Sequence, residues 1–189
     1  MRESAEAKAS GRQRARAVVL IGFMGAGKSS VGRALAKRLG WGFEDLDERI
    51  ELRERRKVSD IFRDSGEGGF RRAEHAGLKA LLRELRPGRE RIVALGGGAF
   101  AQKQNVRLIE ASGVPVVFLE GDAAELWQRC RQQARRQGIE RPLLGSLENF
   151  RALYEARRPH YLKASFRQET GGKTVEEVAA ALVRGLGLD

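Results

Sequence analysis

The sequence predicts an α/β fold, a parallel sheet with helices packed on both faces. Three observations predict it. Short apolar runs alternate with stretches of helical periodicity along the chain, the pattern of strand–helix–strand units. Runs such as Ala17–Ile21 (AVVLI) and Pro115–Leu119 (PVVFL) are apolar throughout, as in strands covered on both sides. Between the first strand and the first helix lies Gly22-Phe23-Met24-Gly25-Ala26-Gly27-Lys28-Ser29, which fits the phosphate-cradling pattern of Gly, any four residues, then Gly-Lys-Ser or Thr.

The first strand is Ala17–Ile21. From Lys28 onward, Val31, Ala34, Leu35 and Leu39 share one helical face, with Arg33, Lys37 and Arg38 elsewhere. The glycines between them let the backbone curl without a Cβ clash. The amides of Gly25, Ala26, Gly27, Lys28, Ser29 and Ser30 then point inward at a phosphate chain, helped by the positive end of the helix. Lys28 reaches the β- and γ-phosphates, and the Ser29 hydroxyl is placed to ligate Mg²⁺.

Leu39-Gly40 stops that helix, and Trp41–Glu44 forms a second strand ending in Asp45-Leu46-Asp47, with a helix over Glu48–Arg55. In an extended segment residues two apart share a face. Asp45 and Asp47 therefore project together from a strand's carboxyl end, where ligands bind in open parallel sheets. They serve a metal and a substrate hydroxyl, or else favour the positive end of the next helix. A short helix follows over Ser59–Asp64, and Ser65-Gly66-Glu67-Gly68-Gly69 breaks it. A longer helix spans Phe70–Leu85. Within it Arg71 and Glu74 are three apart, so they pair on its surface or, if Arg71 faces the crevice, Glu74 fixes the guanidinium for a bidentate carboxylate contact. Pro87-Gly88 turns the chain into the strand Arg91–Leu95. Gly96, Gly97 and Gly98 follow directly, bare backbone against which a ligand ring can lie.

The remaining elements are a helix over Gln102–Ala111, the strand Pro115–Leu119, and a helix opened by Asp122 and Glu125. The end of that helix, Arg129 to Gly138, becomes cationic and leads to Arg141-Pro142-Leu143-Leu144. This stretch reads as a lid over nucleotide, with Arg141 bringing charge to the transferring phosphoryl group, or as a solvated loop. A helix over Ser146–Tyr161, a strand over Phe166–Glu169 and a helix capped by Thr174 and Glu177 complete the chain.

Composition narrows the class. A length of 189 residues with 41% hydrophobic content suits one domain, residues 17–189, behind a polar, basic and disordered tail over residues 1–16. No stretch approaches a membrane span. The tail has no apolar centre for a signal peptide, and the lone Cys130 suits a reducing cytosol. His75 and His160 stand far apart, which argues against structural zinc. A net charge of +11 raises nucleic acid as a partner. However, the basic residues are scattered among acids and aromatics are only 6%, so an anionic small molecule is the better partner.

In this order, GFMGAGKSS at 22–30, FEDLD at 43–47, GFRRAE at 69–74, LGGGA at 95–99, RPLL at 141–144 and RRPHY at 157–161 resemble the shikimate kinase family over about residues 17–187. The resemblance implies a three-layer P-loop kinase of the nucleoside-monophosphate-kinase type, with a five-stranded parallel sheet and a lid over about residues 130–144. It implies transfer of the γ-phosphoryl of ATP to the 3-hydroxyl of shikimate, with Mg²⁺, by a cytoplasmic monomer. Carried over by motif, Lys28 and the 25–30 amides hold phosphates, and Ser29 and Asp45 serve Mg²⁺. Asp47 meets the shikimate hydroxyls and orients or deprotonates the attacking one. Arg71 and Arg157 grip the carboxylate, and Gly96, Gly97 and Gly98 line the substrate. Arg141 meets the γ-phosphate, Arg129 stacks on adenine, and Lys173 or Thr174 lies nearby. The rival readings are a gluconate kinase, a nucleoside monophosphate kinase, and a nucleotide-binding module without turnover.

Overall fold

The computed structural model describes residues 16–85, 89–137 and 146–188. Five strands, β1 (Ala17–Ile21), β2 (Gly42–Asp45), β3 (Arg91–Ala94), β4 (Val116–Glu120) and β5 (Phe166–Glu169), form one sheet in the order β2-β3-β1-β4-β5. Every pairing is parallel. All residues of β1 and β4 are buried, which requires cover on both faces. That cover comes from α1 (Lys28–Leu39), α2 (Leu46–Glu54), α3 (Val58–Glu84), α4 (Lys103–Ser112), α5 (Ala123–Gln137), α6 (Leu147–Tyr161) and α7 (Val175–Leu186), with a 3-10 turn over Ala99–Ala101.

This topology decides where the site lies. The chain runs to one side of β1 for β2 and β3, then to the other for β4 and β5, so the direction reverses at the carboxyl end of β1. Leu20 stands beside Ala94, and Ala94 beside Asp45, in one row across three strands. The phosphate loop, the glycine triplet and the Asp45–Asp47 stretch therefore leave the sheet at one edge.

One expectation is corrected. Asp45-Leu46-Asp47 is not an extended run: Asp45 is the N-cap of α2, accepting a hydrogen bond from the Asp47 amide at 3.0 Å, and Asp47 lies in the first helical turn. The carboxylates meet because one caps the helix that carries the other. The expected break within Ser65–Gly69 falls at Gly66 (φ 65°, ψ −177°), whose non-helical backbone separates two helical stretches of α3, and the second stretch begins before Phe70, taking in Gly68 and Gly69. Elsewhere the boundaries move by a residue or two. Pro115 precedes β4, and Ser146 caps α6 through the Asn149 amide. Thr174 and Glu177 form the expected reciprocal cap of α7. Residues 130–137 of the expected lid are the last turns of α5. Arg141 with residues 138–144, the Pro87-Gly88 turn and residues 1–15 of the tail lie outside the described residues.

Candidate active site

A cavity of about 650 Å³ opens where the phosphate loop leaves β1. Its floor is the loop itself, Gly25 to Ser30. Toward β2 and β3 it is lined by Asp45, Asp47, Gly96 and Gly97, and toward β4 and β5 by Arg129, Gln133, Thr170, Lys173 and Thr174.

The loop is packed to one shape. At Gly25 (φ 78°) a Cβ would fall 2.5 Å from the Leu126 carbonyl oxygen and 2.9 Å from Cys130 Sγ on α5. Only glycine fits, in conformation and in space. Phe23, in the same loop, is fully buried and meets the rings of Phe150 and Tyr154 edge-on at 4.9 and 5.4 Å. The Arg157 guanidinium lies over its ring at 5.7 Å. Residues 150, 154 and 157 share one stripe of α6, so the apolar contact that seats α6 on the loop also brings in Arg157.

At the start of α1, Lys28 Nζ donates to the carbonyls of Gly22 (2.9 Å) and Phe23 (3.1 Å). Desolvation pulls its pKa below the usual lysine range, and Asp47 and Asp45 oppose that pull. Ser29 Oγ donates to Asp45 Oδ2 at 2.8 Å. A hydroxyl and a carboxylate together at a phosphate loop are hard oxygen donors that fit Mg²⁺, which binds through one or two protein groups, substrate phosphates and water. Among the described residues no cluster of three or more His, Cys, Asp or Glu forms a separate metal cage. Asp47 is perturbed too. Its Oδ1 is buried and accepts no hydrogen bond from the protein. Desolvation first, then the neighbouring Asp45 charge, push its pKa up to about 6, with Lys28 opposing. It is a carboxylate that takes up a proton near neutrality.

The three glycines after β3 each stand against a different charged side chain. A Cβ on Gly96 would fall 2.9 Å from Asp47 Oδ1, one on Gly97 3.5 Å from Arg157 Nη1, and one on Gly98 2.5 Å from Arg71 Nη2. Asp47, Arg157 and Arg71, drawn from α2, α6 and α3, thus converge on one bare stretch of backbone. Arg71 is held by Glu74, whose two oxygens accept from Nη1 at 3.1 and 3.0 Å, and by Glu67 on its other edge. Glu74 is 1% exposed, and burial pushes its pKa up against the pull of Arg71.

The sequence profile of the family described as shikimate kinase matches residues 24–186. The chain belongs to the shikimate kinase family. The family's reaction moves a phosphoryl group from ATP, with Mg²⁺, to a hydroxyl of shikimate. A shikimate kinase of Cereibacter sphaeroides is 41% identical over 169 residues, covering 89% of this chain and 81% of its own. One from Thermus thermophilus is 42% identical over 172 residues, covering 89% of each. The structure of the Acinetobacter baumannii shikimate kinase in complex with shikimate superposes with a TM-score of 0.78 at 30% identity, covering 90% of this chain and 92% of that one.

Set against these family expectations, Lys28, Ser29, Asp45, Asp47, Gly96 and Gly97 share the main cavity, and Gly98, Arg71 and Arg157 adjoin it through the glycine triplet. On the other side Arg129 lines the cavity while donating to Glu125 (2.5 Å) and to the Thr170 carbonyl (3.2 Å). Lys173 lines it while donating to the Glu169 carbonyl at 3.1 Å. Sequence reasoning missed Gln133 and Thr170, and it gave no task to Tyr161. The Tyr161 hydroxyl donates to the Gly97 carbonyl at 2.5 Å, and burial pushes its pKa up to about 12. Its spacing of four from Arg157 on a helix was the available signal.

Proposed function

We propose that this cleft phosphorylates the 3-hydroxyl of shikimate with the γ-phosphoryl of ATP, giving shikimate 3-phosphate and ADP. The observation that carries the division of labour is the convergence of one carboxylate and two guanidinium groups on Gly96, Gly97 and Gly98, beside the phosphate loop. Two cations suit the carboxylate of a small hydroxylated acid, and the anion between them and Lys28 suits its hydroxyls.

In this reading the amides from Gly25 to Ser30 and the Lys28 ammonium hold the phosphates. Ser29 and Asp45 hold Mg²⁺, which when bound neutralises charge on the phosphate oxygens. Arg71 and Arg157 orient the acid through its carboxylate. Gly96, Gly97 and Gly98 let the ring lie close, so that the attacking hydroxyl meets Asp47. Asp47 aligns that hydroxyl and accepts its proton as the oxygen–phosphorus bond forms. Phosphoryl transfer needs alignment and charge neutralisation more than covalent help, and the residues offer both. Arg129 and Lys173 serve the adenosine side. On the strength of the sequence alone, residues 17–189 make one kinase domain in this reading, with residues 130–144 a lid that brings Arg141 to the γ-phosphate. In the same reading the protein is a cytoplasmic monomer that does not bind nucleic acid. Many of its basic side chains are engaged in ion pairs, and no helix among the described residues is long and apolar enough to cross a membrane.

The test is ADP release measured across acceptors. Turnover is expected on shikimate and not on gluconate or nucleoside monophosphates. Tight ATP binding without turnover on any of them would replace this reading with that of a nucleotide-binding module.

A further inference from the structure

Asn105, on α4, is completely buried at 0% exposure. Its Nδ2 lies 3.1 Å from the Ala99 carbonyl and 3.5 Å from Glu74 Oε2, and its Oδ1 lies 2.9 Å from His75 Nδ1. The amide orientation follows from its neighbours. A carbonyl and a carboxylate only accept, so the NH₂ group faces them and Oδ1 faces the ring. His75 then carries its proton on Nδ1 and donates it. Both N–H groups of this side chain and its Oδ1 are engaged inside the protein, between two walls of the substrate end of the site.

One wall is α3, where Glu74 holds Arg71. The other is the backbone at Ala99, the residue after Gly98. Between them the Arg71 guanidinium passes Gly98 so closely that a single methyl group would not fit. We infer that Asn105 is a positioning residue. By tying Glu74 to the Ala99 carbonyl, it sets the separation and angle at which Arg71 faces the glycine triplet, and so tunes recognition of the substrate carboxylate without touching it. This rests on the reading of Arg71 as a carboxylate grip.

Removing the amide leaves Glu74 free to take another rotamer and Arg71 free to follow it. The loss falls on the carboxylate end of the acceptor and spares the nucleotide. The experiment uses Asn105→Leu, close in volume and unable to hydrogen-bond, with shikimate and its primary carboxamide as alternative acceptors. The expected result is a fall of about tenfold in the kcat/KM preference for carboxylate over carboxamide, the size associated with one hydrogen bond to a charged group. The KM for ATP should stay within about twofold. A purely structural role would lower both acceptors alike, and an unchanged preference overturns the inference. Should Asn105→Leu fail to fold, Asn105→Ser, too short to bridge Glu74 and Ala99, is read by the same two criteria. Arg71→Ala is assayed in parallel. If it abolishes the preference while the Asn105 variants keep it, the inference fails and the grip stands. If Arg71→Ala also keeps it, the grip fails and the inference with it.

Discussion

Replacing Asp47 with asparagine should make the protein more stable and nearly inactive, and both effects come from one feature. Asp47 Oδ1 is buried without a protein donor, and its carboxyl titrates near 6 instead of 3.8. The native state therefore binds more protons than the unfolded chain between about pH 4 and pH 6, and stability falls as pH rises through that window. Above it the ionised carboxylate costs about 3 kcal/mol, at about 1.4 kcal/mol for each tenfold change in proton affinity. Asp47→Asn would remove that cost, in which the opposing pull of Lys28 is already counted, but the new amide would need acceptors. A net gain of about 1–2 kcal/mol is expected, or about 2–8 °C in Tm for a chain of this size. Thermal unfolding at pH 8 and pH 5 reads it directly: at pH 5 the native carboxyl is protonated while the unfolded one is still ionised, so the cost is about half and the advantage should be smaller by about 1.4 kcal/mol. In the same variant kcat should fall by about 10²–10⁴, with ATP affinity within about twofold. An asparagine variant no more stable than the parent at pH 8, or one whose advantage is the same at pH 5, refutes the reasoning.

Three further outcomes follow from the packing. Gly98→Ala places a methyl 2.5 Å from Arg71 Nη2 at an ordinary φ of −104°. The guanidinium should swing aside, raising the KM for shikimate about tenfold or more while stability shifts by only about 0.5 kcal/mol, read by kinetics and thermal unfolding. Gly25→Ala meets the Leu126 backbone at 2.5 Å with φ at 78°. It should cost about 2–4 kcal/mol in urea unfolding and abolish ATP binding by calorimetry. Tyr161→Phe leaves the Gly97 carbonyl without its donor. Urea unfolding should show a loss of about 1 kcal/mol, and the KM for shikimate should rise with the KM for ATP unchanged.

The strands and the phosphate loop were legible in the sequence because each rests on local chemistry. A wholly apolar run marks a strand covered on both faces, and the glycines and lysine carry their own geometry. The break between the two helical stretches of α3 was legible too, as a glycine cluster, and it falls at Gly66, while Gly68 and Gly69 join the second stretch at about 1 kcal/mol each. The Asp45–Asp47 pair was read with a period of two, whereas Asp45 caps the helix on which Asp47 rides. What stayed hidden is non-local. Glu74, Asn105 and Ala99 sit on three elements, and Tyr161 reaches Gly97 across 64 positions. No periodicity connects them, since each is a polar group buried only by the folding of the others.

The spacing of the glycine triplet has a consequence for how this segment can change length. Because three adjacent positions each accommodate a different side chain, removing or adding a single residue between Ala94 and Ala99 would re-pair all of them at once, setting Arg157 or Asp47 against the position meant for Arg71. Substitutions here fail one at a time, whereas a frame slip fails wholesale. Length variation among descendants of this chain should therefore be carried by segments other than the one joining β3 to the 3-10 turn.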